Sequence, residues 1–412
     1  MQDTPRANRV HIAIYGRRNV GKSSLINAIT GQQIALVSEI PGTTTDPVYK
    51  AMELYPLGPV LFIDTAGLDD DSELGELRVK KSRDVMEKVD LAVLVLTPEL
   101  RDLSFEEEWY KEFKQRRIPM IGVINRIDQY GDDEYGDVDN EDIVASVDNQ
   151  ALDRNLPIPF VRVSAKYGTN IDKLKELIIN NAPKDVNNIS LLAGLVKQND
   201  IVFLVAPQNL QAPKGRLILP QVQAIRDILD YHALAYIVTD DELEQALSSL
   251  KKKPDLVITD SQVFDKVNKE IPQDVPLVSF SILLARQKGD LKTLVSGAMV
   301  IDELKPGDKV LIAEACSHHP LKDDIGREQL PKWLEAKVGG HLEISFSAGS
   351  DFPEDLKEYK LVVHCGSCML NRTEVLNRIA KAVRNGVPIT NYGVAIAHIH
   401  GILDRVLQSI KL

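Results

Sequence analysis

His11-Ile12-Ala13-Ile14-Tyr15-Gly16-Arg17-Arg18-Asn19-Val20-Gly21-Lys22-Ser23-Ser24 is the stretch from which the fold of the N-terminal region is read. Its apolar opening predicts a strand, Gly16 to Ser23 fits G-x-x-x-x-G-K-[ST], and Lys22 begins a helix-forming run that reaches Thr30. A strand that breaks into a glycine-bounded loop at the start of a helix is a phosphate cradle. Gly16 and Gly21 let backbone N–H groups wrap the phosphates, Lys22 neutralises β- and γ-phosphate oxygens, and Ser23 offers its hydroxyl to Mg2+. Ser24 completes the nucleotide-binding candidates of this loop.

Outward from this stretch, short β-rich apolar runs alternate with helical ones: VLFIDTAG, LAVLVLT, PMIGVIN and PFVRVSA follow, and KLKELIINNAP closes the series. This rhythm predicts a mostly parallel sheet covered by helices on both faces. The strand ends carry the remaining candidates. In Asp64-Thr65-Ala66-Gly67, the carboxylate can hold the magnesium and the Gly67 amide can meet the γ-phosphate. In Asn125-Arg126-Ile127-Asp128, Asp128 can accept two hydrogen bonds from the N1 and N2 donors of guanine, which adenine does not present. Ser164-Ala165-Lys166 would back the base with a main-chain amide. GTP and GDP with Mg2+ are therefore the expected ligands, with Lys22, Asp64 and Gly67 in the catalytic set.

Beyond Asp200 the α/β rhythm resumes without a phosphate loop: IVFLVAP, VQAIRDILDYHA, AYIVTD, ELEQALSSL, DLVITD, QVFDKVNKEI and PLVSFS, then KVLIAEAC, KLVVHC, TEVLNRIAKAVRN and PITNY, with a C-terminal helix from about Gly393. At 412 residues, more than one hydrophobic core is expected. The fold class read is α/β in three domains: a P-loop GTPase domain at 1–185, then α/β units at 186–265 and 266–412. With 44% apolar and 26% charged residues the chain reads as an ordinary globular protein. Its 60 acidic against 49 basic residues give a net charge of -11, which argues against nucleic acid as a partner. MQDTPRANRV holds no apolar run, and no stretch approaches the roughly 18 apolar residues of a membrane span, so a cytoplasmic protein without membrane contact is expected.

The 3 cysteines, Cys316, Cys365 and Cys368, lie in the last quarter of the chain, with His318 two residues after the first and His364 just before the second. Cys316 ends the run KVLIAEA and Cys365 follows KLVVH, so two sheet strands can deliver both thiols to one rim. The Gly366-Ser367 turn brings Cys368 back to the same point. Three thiolates can hold three irons of a [4Fe–4S] cluster and leave the fourth to a weaker ligand. A zinc site completed by His318 or His364 is the alternative, and plain buried cysteines are the third reading. The imidazoles could be ligands, exchangeable caps or groups that tune the sulfurs. His398 and His400, on the final apolar run, read as packing or surface residues.

Pro41-Gly42-Thr43-Thr44-Thr45-Asp46 resembles the switch I segment of the TrmE-Era group of GTPases. The resemblance implies that Thr44 meets magnesium and the γ-phosphate, and that Asn19 helps hold a potassium ion beside the phosphates; otherwise Asn19 only fills a turn position. Leu68 follows Asp64-Thr65-Ala66-Gly67, so the glutamine that orients the attacking water in small signalling GTPases is missing there. Slow, potassium-stimulated hydrolysis is expected.

The whole chain, with Cys316-Ser317-His318 and His364-Cys365-Gly366-Ser367-Cys368 behind such a GTPase domain, is similar to the HydF family of [FeFe]-hydrogenase maturation GTPases. That resemblance implies a dimerisation domain at 186–265, a cluster-binding domain at 266–412 and a homodimer. It also implies a scaffold that receives a diiron precursor from radical-SAM maturases and passes it to apo-[FeFe]-hydrogenase. The competing expectation is a TrmE-Era-type GTPase linked to the ribosome or RNA, with a structural zinc site. It calls for a basic RNA-binding module after the GTPase domain, whereas residues 186–412 carry no aromatic-basic signature.

Overall fold

A computed structural model describes residues 4–31, 47–67, 73–100, 102–129, 156–183, 189–208, 215, 217–315, 324–349 and 351–410. The chain forms two compact units, Met1–Asn188 and Ile189–Leu412.

The first unit is built on a six-stranded sheet in the order β2-β3-β1-β4-β5-β6. Its strands are β1 (Val10–Tyr15), β2 (Val48–Leu54), β3 (Gly58–Asp64), β4 (Leu91–Leu96), β5 (Met120–Ile124) and β6 (Phe160–Arg162). β2 runs antiparallel to β3, and the remaining pairs are parallel. Alternate residues of each central strand enter opposite cores. Val10, Ile12 and Ile14 pack with Leu25, Ile26 and Ile29 of the helix Lys22–Thr30, and with Leu174 and Ile178 of the helix Ile171–Asn181. Ala13 and Tyr15 pack on the other face with Trp109 and Phe113 of the helix Ser104–Gln115. Burial on both faces is why these strands read as unbroken apolar runs. β2 is not among the runs read from the sequence. It is an edge strand of mixed exposure whose Lys50 and Glu53 interrupt the apolar pattern.

The second unit carries two four-stranded sheets with every pair parallel. The first comprises β7 (Ile201–Val205), β8 (Leu234–Val238), β9 (Leu256–Thr259) and β10 (Leu277–Ser279), in the order β10-β9-β7-β8. The second comprises β11 (Lys309–Glu314), β12 (Glu343–Ala348), β13 (Leu361–His364) and β14 (Ile389–Asn391), in the order β12-β11-β13-β14. Read from either edge, both follow one topology, with the first and third strands as central neighbours. Residue 265, the expected division, falls between β9 and β10, which pair from Leu277↔Val257 to Ser279↔Thr259. The correction is that the middle sheet continues through Ser279. Strand pairing decides this, and no change of composition marks it. β12 likewise lacks an apolar run: it is an edge strand with a polar, half-exposed pattern.

Both sheets of this unit share one apolar core. The helix Phe280–Lys288 buries Ile282, Leu283 and Leu284 in it, and the helix Leu291–Met299 buries Leu294 and Ala298. The latter helix lies against β14 so closely that a Cβ on Gly297 would sit 2.0 Å from the Ile389 carbonyl oxygen. In a sheet of this topology the connections after the two central strands leave toward opposite sides, opening a crevice at their carboxyl ends. In the last sheet those strands are β11 and β13, paired from Val310↔Leu361 to Ala313↔His364. Among the described residues, no helix is long and apolar enough to cross a membrane.

Gly297→Val must push the helix off β14. It should destabilise the second unit by about 3 kcal/mol, a drop of roughly 6–12 °C in the melting temperature of a unit this size. Differential scanning calorimetry checks this; an unchanged melting temperature would contradict the close approach.

Candidate nucleotide and cysteine sites

Between β1 and the helix Lys22–Thr30 the loop turns through Gly16 at φ 149°, Asn19 at φ 60° and Gly21 at φ 90°. Gly16 is required for closeness: a Cβ there would sit 2.4 Å from the Val95 carbonyl oxygen of β4. Asn19 tolerates the left-handed region better than most residues, and its side chain is exposed. Lys22 is buried and folds back over the loop, donating from Nζ to Gly16 O at 3.0 Å and Arg17 O at 2.8 Å. The loop is tied outward by Arg17, which meets Glu106 at 2.7 Å.

Ser23 Oγ donates to Asp64 Oδ2 at 2.5 Å across the strand end. Asp64 is 2% exposed, and its Oδ1 has no hydrogen-bond partner among the described residues. Burial raises its pKa, while the Ser23 hydrogen bond and the Lys22 charge oppose that rise. A buried carboxylate with one oxygen unmet beside a serine hydroxyl fits a hard cation with oxygen ligands, so these residues suit Mg2+. Gly67 lies against the phosphate loop, where a Cβ would come within 2.3 Å of Arg18 Cγ. Thr44 and Leu68 lie outside the described residues.

At the base end, Asn125 is 2% exposed and bonded at both ends of its amide. Its Nδ2 donates to Val20 O at 2.9 Å, and its Oδ1 accepts from Ala165 N at 3.1 Å. Asn125 therefore braces the phosphate loop against the Ser164-Ala165-Lys166 turn. Asp128, by contrast, is exposed, with Oδ1 accepting from Ser164 Oγ at 2.5 Å. Ser164 Oγ also accepts from Tyr167 N at 3.2 Å, which fixes the turn. Lys166 is exposed, and its pKa is raised by Tyr167, with Asp128 contributing less. Arg126 was not singled out by sequence; at φ 67° it reaches back to Asn19 O. Only the fold brings these two loops together.

In the second unit, β13 ends at His364 and delivers Cys365 beside the end of β11. Cys365 N donates to Ala313 O at 2.8 Å, and Ala315 N donates to Cys365 Sγ at 3.1 Å. Ser367, at φ 57°, turns the chain between Cys365 and Cys368. Cys316 and His318 lie outside the described residues, though Ala315, the residue before Cys316, meets the Cys365 sulfur. Among the described residues alone, no three His, Cys, Asp or Glu side chains gather to hold a metal ion. Burial pushes the Cys368 thiol up, opposed by the charge of Lys288. Burial in turn lowers the Lys288 ammonium to about 8. Amide donors on sulfur and a buried ammonium beside a thiol suit an anionic thiolate cluster.

His364 is buried, and both of its ring nitrogens are engaged. Arg378 Nη1 donates to Nε2 at 3.0 Å, so the proton sits on Nδ1, which faces Cys365 O and Ser367 Oγ, each at 3.0 Å. Burial, and then Arg378, lowers its pKa to about 3. In this arrangement His364 fixes the Cys365 turn, and ligation would require breaking one of these contacts. Arg378, 6% exposed, also donates to Gly349 O at 2.6 Å and meets Glu374 at 3.1 Å. Neither Arg378 nor Lys288 was legible as a site residue, since a helical cation reads as solvated surface. His398 pairs with Asp302 at 2.9 Å, and His400 packs edge-on to Trp333, both away from the cysteines.

Comparison with known proteins separates the same two units. Residues 11–126 match a domain described as 50S ribosome-binding GTPase. Residues 191–289 match the hydrogen maturase F dimerization domain, and residues 292–409 the hydrogen maturase F tetramerization domain; together these two span more than half of the chain. The chain belongs to the hydrogen maturase F family. As a hydrogen maturase F, it combines a P-loop GTPase unit with two domains for self-association. It is similar to GTPase Era of Clostridium acetobutylicum, 30% identical over 209 residues, covering 47% of this chain and 66% of that protein. It is also similar to tRNA modification GTPase MnmE of Natranaerobius thermophilus, 35% identical over 170 residues, covering 41% of this chain and 34% of that protein. The chain thus spans less than two thirds of either relative. A crystal structure of Aquifex aeolicus Era bound to GDP·AlF4− is 21% identical at a TM-score of 0.37, covering 56% of this chain and 92% of that one.

Asn125→Ala removes both buried hydrogen bonds of the brace. It should destabilise the nucleotide-free first unit by about 1–3 kcal/mol and weaken GDP binding in parallel. Thermal unfolding with and without GDP checks this; normal GDP affinity would show that the brace is dispensable.

Proposed function

We propose that this chain is a guanine-nucleotide-controlled iron–sulfur scaffold that receives a diiron precursor from radical-SAM maturases and delivers it to apo-[FeFe]-hydrogenase. The observation that carries the reading is the meeting of strand ends in the last sheet. The amide of Ala315, one residue before Cys316, lies on the sulfur of Cys365, and Cys368 follows across a tight turn. Membership of the hydrogen maturase F family supports the same reading. Cys316, Cys365 and Cys368 would hold a [4Fe–4S] cluster whose fourth iron lacks a cysteine, which supplies an exchangeable coordination position. His364 and Arg378 hold the turn, and His318 stands beside Cys316 in sequence as a further donor. The cluster domain so assigned is the unit of the last sheet, and the GTPase domain is read as residues 1–185.

In the nucleotide site, Lys22 and the loop amides of Gly16, Gly21 and Ser23 bind phosphates. Ser24 lies on the first turn of the helix, and Ser23, Thr44 and Asp64 are assigned to Mg2+. Gly67 is assigned to the γ-phosphate. Asp128 would read guanine, with Ser164, Ala165 and Lys166 closing the base pocket and Asn125 fixing its walls. Hydrolysis is proposed to be slow, because Leu68 provides no water-orienting amide, and to be stimulated by a potassium ion at Asn19.

Self-association is assigned to the β8 edge. Leu234, Tyr236 and Ile237 are 53%, 38% and 49% exposed there, on a strand paired on one side only and within the matched dimerization domain. An apolar edge of this kind is stable when a second copy covers it, so a homodimer is the proposed minimum.

Anaerobic reconstitution tests the cluster. A brown protein absorbing broadly near 400 nm, whose iron content falls severely in any single Cys→Ser variant but not in Lys22→Ala, is expected. Stoichiometric zinc and no iron–sulfur signal would overturn the scaffold reading.

Replacing sodium by potassium should raise the GTPase rate about tenfold in the unmodified protein and much less in Asn19→Ala, while Asp128→Ala should cost roughly 2–4 kcal/mol of guanine affinity. Steady-state phosphate release and GDP titration measure both. A rate indifferent to the cation would remove the potassium assignment and leave the GTPase intact.

A further inference from the structure

The last turn of the helix Phe280–Lys288 touches two places far apart in the chain. Arg286 Nη2 donates to Ala193 O at 2.6 Å, and Gln287 Nε2 donates to Ile189 O at 2.7 Å. The next residue, Lys288, points the other way: Nζ donates to Leu370 O at 2.9 Å and to Cys368 O at 3.4 Å. Arg372, at the start of the helix Arg372–Arg384, closes the arrangement by donating to Gln287 O. Three successive residues thus hold the first residues of the second unit on one side and the carbonyls of the cysteine turn on the other.

Ile189 is where the second unit begins, directly after the chain leaves the GTPase unit. The segment that follows is seated firmly. Leu191, Leu192 and Val196 are in the core, and Asp227 Oδ2 accepts from Ser190 Oγ at 2.7 Å and from Leu192 N at 2.9 Å. A displacement of this segment therefore moves it as a piece and must act through its hydrogen-bonded neighbours. Lys288 is 6% exposed, so its ammonium draws its hydrogen bonds from protein and cannot readily replace these carbonyls by water.

We propose that Lys288 is a positioning residue of the cysteine site, and that Arg286-Gln287-Lys288 couples the point where the chain enters the second unit to the Cys365-Gly366-Ser367-Cys368 turn. The state of the bound nucleotide is then felt at the cysteines through this helix end. The coupling rests on the reading of the cysteines as a nucleotide-controlled cluster site. The anchoring of the turn by Lys288 stands without it.

Amide hydrogen exchange of the full-length, metal-free protein tests both parts. Peptides covering residues 365–370 are followed with GDP and with a non-hydrolysable GTP analogue. In Lys288→Met the turn should exchange about tenfold faster, and Lys288→Arg should restore most of the protection. The unmodified protein should exchange at different rates with the two nucleotides. Arg286→Ala combined with Gln287→Ala should abolish that difference while the turn keeps its basal protection.

Unchanged exchange in Lys288→Met would overturn the positioning role. Should that variant not fold, failure of Lys288→Arg to keep protection near that of the unmodified protein would count against it equally. A nucleotide difference that is absent from the unmodified protein, or that survives in the double variant, would overturn the coupling. Iron uptake by the unmodified protein is measured separately, so failure of the cluster reading is distinguishable from failure of either part.

Discussion

Cys365 N donates to Ala313 O at 2.8 Å, closing the ladder between β13 and β11 where both strands leave the sheet. The chemistry of the second unit depends on that pairing. Parallel strands point their carboxyl ends the same way, and β11 and β13 are the central pair of the order β12-β11-β13-β14, so their ends stand side by side. Cys365 stands at the end of one strand, while Ala315, at the end of the other, donates to its sulfur and leads into Cys316. Had β13 paired at the far edge of the sheet, the same residues would stand a strand spacing or more further apart.

Around this point the protein gathers donors about the cysteine turn. The Ala315 amide meets Cys365, the Lys288 ammonium lies beside Cys368, and the Arg378 guanidinium locks the ring of His364 in one tautomer. Each of these donors comes from a different element, and two are buried cations whose placement is tolerable only with carbonyls or an imidazole to receive them. The middle sheet has the same strand topology, but its β9 ends in Thr259-Asp260, where the last sheet has His364-Cys365. One architecture thus occurs twice, in the matched dimerization domain and in the matched tetramerization domain, and only the second copy carries thiols at its central strand end.

The nucleotide site follows a similar logic with different chemistry. Asn125 lies at the end of β5, Val20 in the phosphate loop and Ala165 after β6, and one buried amide joins all three. A sequence motif at this position suggests contact with the base. The fold adds that the side chain is already spent on the protein, leaving Asp128 as the exposed carboxylate of the motif.

Legibility in the sequence tracks burial. The central strands and the phosphate loop were readable because burial on both faces demands apolar runs, and because wrapping a phosphate demands glycines at fixed spacing. Edge strands β2 and β12 were not readable, since a half-exposed strand needs no unbroken apolar run and carries polar residues among its apolar ones. Nor was the extent of the middle sheet, because nothing in composition separates β9 from β10.

The sequence by itself determined the α/β class, the GTPase motifs in their order, and the confinement of all 3 cysteines to positions just after two apolar runs. These are local properties, set by the period of apolar residues and by the backbone freedom that a turn requires. Only the tertiary structure decided that Asn125 is a brace, that His364 has both nitrogens occupied, and that Lys288 reaches a turn 80 residues away. Those roles depend on which distant carbonyl, amide or guanidinium arrives beside a side chain, and that is fixed by strand order and helix packing, which no local pattern encodes.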